Sequence, residues 1–368
     1  MKYRTIIVED DKTQLENISP ALKHSKEFDL LTIYDQVESA LGQSSVYAPD
    51  LFIIDIENPD FLEELPAFKN AFPDAEILAM LSAWDNDVAF EAQNRGAIGT
   101  ILKGYKSDEI LETMKISKQR GKNKPTHVAS FFSPKGRAGR TTLAALLAQS
   151  VHKKTGESVA MIDADLQFGD LPTFFDVEPQ HTIVDSSHDI KLLTPLTFLP
   201  YYHKIQDGFY LLGGPSRPEF AELVDSDTVI EVIRLSSHLF RYIFVDLPAG
   251  FNPISLAVSN YADTNFVVSM YNSEMELVHM RRSLDMFRDR QEMGKSNFAI
   301  FTRIDPCTED QRFKMELSLG HPLTAIFPND YHLISTADSG RIMKELPNDQ
   351  LLMGKINDLT NKIIAEDG

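Results

Sequence analysis

The chain has 368 residues, 43% of them hydrophobic and 24% charged, and a formal net charge of −18. That length exceeds one ordinary domain and that composition is globular, so two or three domains are expected. The charge opposes nonspecific binding to nucleic acid or anionic lipid, the single Cys307 excludes an internal disulfide framework and fits a reducing compartment, and no apolar run approaches the roughly 18 residues of a membrane span. The start, MKYRTIIVEDD, turns acidic too soon for a signal peptide, and the ten His residues show no zinc-ligand spacing with Cys307.

In chain order, apolar runs at 3–8, 30–34, 51–56, 76–81 and 99–102 predict strands. Amphipathic stretches at 14–25, 37–46, 62–71, 88–95 and 107–120 predict the helices between them. Five β-α units predict a doubly wound parallel sheet over residues 1–120. Residues 121–126, within RGKNKPT, are basic, carry Gly and Pro and lack large apolar side chains, which predicts a linker. Strands predicted at 128–133, 158–163, 209–212, 241–246, 264–270 and 297–302 imply a second, larger parallel α/β domain over 127–368.

The strand ends of the first domain carry Glu9 and Asp10, then Asp55, Ser82 and Lys103. In an open parallel sheet these ends line one crevice, where ligands bind. Clustered carboxylates there suit a hard cation such as Mg²⁺, and a cation with a Lys would neutralise a phosphoryl group on Asp55. The set VEDD, Asp55 followed by Pro59, LSA at 81–83 and ILK at 101–103 resembles the receiver domain of two-component response regulators. The resemblance implies Glu9 and Asp10 as the acid pair, Asp55 as phosphoacceptor, Ser82 as the hydroxyl and Lys103 as the matching Lys. Gly104 and Thr100 depart from the family's Pro and switch aromatic. A receiver-shaped interaction module that is never phosphorylated is the competing reading.

In the second domain a strand, the loop SPKGRAGRTT at 133–142 and a helical run follow one another. This is the layout of a phosphate-binding loop, with Pro134 at the first Gly position and Arg140 at the Lys position. The helix start at Thr141 and Thr142 offers backbone N–H groups and a dipole to an anion. Gly136 and Gly139 permit close backbone approach, and Thr141 can place its hydroxyl on Mg²⁺. Arg140 keeps a positive charge, as a planar fork rather than a compact ammonium. The strands ending in Asp163, followed by Asp165, and in Asp246 bring carboxylates to the same sheet edge, for the metal's water shell or an attacking water.

This pattern resembles the MinD/ParA superfamily of deviant Walker-A ATPases over about residues 126–368. Lys135 matches that family's signature Lys, which reaches across a dimer, while Arg137 replaces the second Gly. The resemblance implies ATP and Mg²⁺ as cofactors. It gives phosphate contacts to Lys135, Gly136, Arg137, Ala138, Gly139, Arg140, Thr141 and Thr142, and metal binding to Thr141, Asp163, Asp165 and Asp246. Catalysis falls to Asp165 and Lys135. IFTRID at 300–305 and IFPNDYHLISTADSG at 326–340 resemble the base-contacting segments, which assigns Thr302, Arg303, Pro328, Asn329 and Asp330 to the nucleotide. Thr302 stands where the family has Asn. DADLQFGDL, a loop followed by TTLA, and a receiver-like start together resemble the TadZ/CpaE branch.

That branch implies a cytoplasmic ATP-binding factor that localises and assembles a Tad (Flp-type) pilus secretion machine, recruited to a cell pole or to membrane-associated machinery. It implies a homodimer that partners pilus proteins, with weak ATP hydrolysis at most. Two alternatives stand beside it: a response regulator whose ATPase-like domain is its output, and a DNA-partitioning ATPase, against which the acidic balance argues. No nucleic-acid partner is expected, and membrane contact only indirectly. The C-terminal spacing of Leu352, Ile356, Leu359 and Ile363 fits an interfacial helix, but Asp358, Glu366 and Asp367 outweigh Lys355 and Lys362, so packing on its own domain is the expectation.

Overall fold

The computed structural model describes all residues except 1, 12–19, 21, 24, 122–123, 291–294, 305–306, 330–349 and 367–368. The expected helix at 14–25 therefore lies largely outside the described residues. The chain forms two compact units, Met1–Pro125 with Leu192–Thr197, and Thr126–Lys191 with Phe198–Gly368.

The first unit is built on strands β1 (Tyr3–Val8), β2 (Phe28–Tyr34), β3 (Leu51–Asp55), β4 (Glu76–Leu81) and β5 (Gly99–Leu102). All neighbouring pairs are parallel, in the order β2-β1-β3-β4-β5. That is the flavodoxin-like doubly wound order, whose switch point lies between β1 and β3. Alternate residues serve opposite faces of the sheet. Ile6, Val8, Phe52, Ile54, Ile77 and Ala79 enter one buried cluster, whereas Ile7, Ile53, Leu78 and Met80 enter the other. A strand buried on both sides must read as a near-continuous apolar run, which is why LFIID was legible. Of the two switch-point strands, β1 is followed directly by Glu9 and β3 ends at Asp55.

The second unit holds an eight-stranded sheet in the order β13-β12-β11-β6-β10-β7-β9-β8. Its strands are β6 (His127–Phe132), β7 (Val159–Asp163), β8 (His203–Gln206), β9 (Phe209–Leu212), β10 (Tyr242–Asp246), β11 (Thr264–Met270), β12 (Ser296–Thr302) and β13 (Leu323–Ile326). Every pair is parallel except β8 with β9. The two strands that the sequence reading lacks are the edges. β8 is a short antiparallel strand turned at Asp207-Gly208, a hairpin dipeptide, with Gly208 at φ +75°. β13 is the four-residue LTAI, in which Thr324 breaks the apolar run.

One core wraps the helix Arg140–Thr155, whose Leu143, Ala144, Leu147, Ala148 and Val151 pack against Phe131, Met161 and Phe244. The helix ends as the sequence dictates. Gly156 takes φ +70° and gives its N–H to His152 O, while His152, Lys153 and Lys154 face the negative end of the dipole. Leu352, Ile356, Leu359 and Ile363 of the C-terminal helix Gln350–Glu366 are all buried in this same core. Each such side chain gains about 1.5–3 kcal/mol over exposure, so the stripe is a packing face. No helix among the described residues is long and apolar enough to cross a membrane.

Candidate functional site

The loop between β6 and the helix Arg140–Thr155 is held from inside. Ser133 Oγ donates to Lys135 O, and Gly250 N donates to Ser133 O at 2.8 Å. Gly139 caps the helix in the left-handed region at φ +78°, a conformation costing an L side chain roughly 1–2 kcal/mol. Arg137 adopts φ +65° without that freedom, which explains why glycine is expected there. Thr302 Oγ1 donates to Ala138 O at 2.8 Å, tying the end of β12 to the loop. Arg303, next along, is a second arginine with positive φ, at +58°. Strained non-glycine backbone concentrates at functional sites.

Gly139 and Thr142 line a cavity of about 80 Å³ together with Leu143 and Leu146 of the same helix and with Thr302, Arg303, Phe327, Pro328, Asn329, Leu352 and Ile356. Four of the residues that the resemblance assigns to the nucleotide, Thr302, Arg303, Pro328 and Asn329, thus share one space with Gly139 and Thr142. Asp330 lies outside the described residues. Lys135 is exposed, with its Nζ only 3.9 Å from Glu276 Oε1. Gly136 has open space on its Cβ side.

Arg140 does something the sequence reading did not foresee. Its Nε donates to Asp246 Oδ1 at 2.5 Å, and its Nη2 donates to Asp165 Oδ2 at 3.3 Å and Asp246 Oδ2 at 3.4 Å. Thr141 Oγ1 donates to the same Asp246 Oδ2 at 2.7 Å. The cause is electrostatic: Asp246 is 1% exposed, and a buried carboxylate needs a cation or donors. Burial pushes the Asp246 carboxyl above its usual range and Arg140 pulls it back. Burial likewise works against the Arg140 charge, but Asp246 and then Asp165 hold it above the usual guanidinium value.

Asp163 is fully buried and serves the backbone. Its Oδ1 accepts from Asp165 N and its Oδ2 from Leu171 N, each at 3.2 Å. Burial, then the charge of Asp246, drives its carboxyl well above the ordinary value. Gly169 closes over it: a Cβ there would stand 2.4 Å from Asp163 Oδ2. Gly169→Ala is therefore expected to cost about 1–3 kcal/mol, because the added Cβ would press on the buried Asp163 carboxylate. It should also displace the loop that carries Asp165. Urea denaturation checks the first effect, and nucleotide titration the second.

In the first unit Lys103 is the centre of a carboxylate cage. Its Nζ lies 3.1 Å from Glu9 Oε2, 3.2 Å from Asp55 Oδ2 and 3.0 Å from Glu57 Oε2. Asp10 is exposed and accepts from Asn58 Nδ2 at 2.9 Å. Ligand atoms of Glu9, Asp10 and Asp55 all lie within 4.8 Å of one another. Burial raises the Glu9 carboxyl despite Lys103. Burial would lower Lys103, yet its bond to Glu57, the charge of Asp55 and its bonds to Glu9 and Asp55 carry it well above the usual range. Ser82 meets the cluster through its backbone, whose N–H donates to Glu57 Oε1 at 2.8 Å. Glu57 was missed from sequence. Its signal was its place two residues beyond Asp55 on the same loop.

No protein-family model matches the chain. A curated relative is an uncharacterized ATP-binding protein of Methanocaldococcus jannaschii, 29% identical over 129 residues, 34% of this chain. The match spans 46% of that relative, so the chain covers about half of its length. Among solved structures, a ParA family ATPase from Chlorobium tepidum aligns with a TM-score of 0.58 at 20% identity, over 64% of this chain and 98% of that one. The cell division ATPase MinD of Pyrococcus furiosus aligns at 0.54 and 20%, over 65% and 98%.

About two thirds of the chain has the fold of the MinD/ParA ATPases.

MinD of Pyrococcus horikoshii, described in complex with Mg-ADP, aligns equally well, at 0.54 and 20% over 65% and 96%. The MinD/ParA likeness bears on the fold alone. It leaves the side-chain chemistry of Arg140, Asp165 and Asp246 to be read from this chain.

Proposed function

We propose that the second unit binds ATP, with its base in the cavity bounded by Thr302, Arg303, Pro328 and Asn329 and its phosphates at the helix start Arg140–Thr142. The observation that carries this is the shared cavity, which joins Gly139 and Thr142 to those base-side residues. Helix N-termini favour anions, and the M. jannaschii relative is itself described as ATP-binding. Hydrolysis is slow or absent, because the guanidinium that stands for the loop Lys is committed to Asp246 and Asp165. The exposed Lys135 fits a residue that meets a second copy's nucleotide, so the working form is a nucleotide-dependent homodimer. On the TadZ/CpaE resemblance, that dimer localises and assembles a Tad pilus secretion machine from the cytoplasmic side, through contacts with pilus proteins.

The test is to purify the protein, denature it, and identify the released nucleotide by chromatography. About one intact ATP per chain is expected, one helix N-terminus holding one triphosphate. ADP would mean turnover. An empty protein that also fails to take up added ATP would end the nucleotide reading.

The second reading is a response regulator phosphorylated on Asp55, with the second unit as output. The cluster of Glu9, Asp10, Asp55 and Lys103 supports it. Its chemistry suits a divalent cation and a phosphoryl group, but Glu57 already accepts from Lys103 Nζ and Ser82 N, two donors such a group would use. An unchanged mass after treatment with a small phosphodonor would count against it.

A further inference from the structure

We propose that the guanidinium of Arg140 takes the place of the divalent cation, so that this site binds its nucleoside triphosphate without metal. The inference rests on the nucleotide-binding reading and deepens it. The resemblance gives Mg²⁺ to Thr141, Asp163, Asp165 and Asp246, and those groups do not fit the ion as they are arranged. Asp246 receives Arg140 Nε on one oxygen, and Arg140 Nη2 and Thr141 Oγ1 on the other. Asp165 Oδ2 receives the same Nη2. Both oxygens of Asp163 are turned to backbone N–H groups. Among the described residues, the group of three or more possible ligands within 4.8 Å of one another is Glu9, Asp10 and Asp55, in the other unit, and not these acids.

The chemistry of the substitution is consistent. Mg²⁺ demands near-ideal octahedral oxygen geometry and keeps several waters. A guanidinium is a planar cation that bridges carboxylates through paired N–H groups. Both neutralise the same acids, and like charges repel strongly where water is scarce, so one excludes the other. Arg140 Nη1 makes no hydrogen bond among the described residues, which leaves donors for a phosphate oxygen beside the helix N–H groups.

The experiment is titration of the full chain with a fluorescent ATP analogue, once in Mg²⁺ and once in EDTA, repeated on Arg140→Lys. For the unaltered chain the two dissociation constants are expected to agree within about threefold. In Arg140→Lys, whose compact ammonium cannot bridge both acids, Mg²⁺ should tighten binding by about tenfold or more. If EDTA weakens binding to the unaltered chain by about tenfold, the inference falls while the nucleotide reading survives. If the Lys variant is as indifferent to Mg²⁺ as its parent, Arg140 is not the cause and the inference also falls. No binding in either medium overturns it together with the reading beneath it. Should the Lys variant not fold, the two titrations of the parent chain still decide.

Discussion

Lys103→Met destabilises the first unit by about 3–5 kcal/mol at neutral pH, the usual cost of removing one partner from a buried ion pair. Glu9 is fully buried and Asp55 is 2% exposed, and both lean on the Lys103 ammonium. Methionine keeps most of the apolar stem, so lost packing accounts for little of the effect. The pH dependence identifies the cause. Lys103 has its folded-state value raised above the unfolded one, so its own contribution is fully present below the unfolded value and is lost only in strong alkali. Between about pH 5 and about pH 8 it stays charged, and the carboxylates decide. Burial already raises Glu9 in the native chain. A carboxyl with a raised folded value carries a penalty that is absent below its unfolded value, grows as pH rises toward the folded one and is complete above it. The loss from Lys103→Met should therefore be larger at about pH 8 than at about pH 5. Trp84 is the chain's single tryptophan and lies in this unit, so its emission during urea denaturation reports the right transition. An equal loss at both pH values would mean that packing, not charge, makes Lys103 necessary.

How far these sites were legible follows from what kind of residue carries them. Strands such as LFIID and YIFVD are buried on every residue, so their composition announces them wherever they pack. The acids at 9, 55, 163 and 246 were legible because a parallel sheet brings strand C-termini to one edge without knowledge of any side-chain contact. Partnerships were not legible in the same way. Arg140 was read as facing phosphate because its position in the loop says so. Only the burial of Asp246, known once the sheet is assembled, turns its guanidinium inward. Glu57 and Gly169 were missed for a like reason. One matters through a bond to a residue 46 positions away, and the other through the space it leaves for Asp163. The stripe from Leu352 to Ile363 showed its spacing plainly, but spacing cannot name the surface it covers.

Arg140→Ala is expected to cost the second unit about 3–5 kcal/mol, because it leaves the buried Asp246 carboxylate without its cation. Two effects compete to explain such a loss. The stem of a buried arginine contributes packing, worth a few kcal/mol at most and indifferent to pH. Its charge restrains Asp246, whose carboxyl burial has already pushed upward. Without Arg140 that carboxyl rises further, and the penalty for ionising it builds as pH climbs from the unfolded value toward the new one. The loss is thus smaller at about pH 5 than at about pH 8. Arg140→Met separates the two effects, since it restores the stem without the charge: if charge dominates, Met should fall close to Ala at the higher pH and recover toward the parent chain at the lower. Arg140→Lys, which keeps the charge, should hold most of the stability. Urea denaturation followed by circular dichroism, with Trp84 emission marking the other unit, measures all three variants. If Met matched the parent chain at both pH values, Asp246 would not depend on the guanidinium, and the structural basis for placing Arg140 where a metal would stand would be gone.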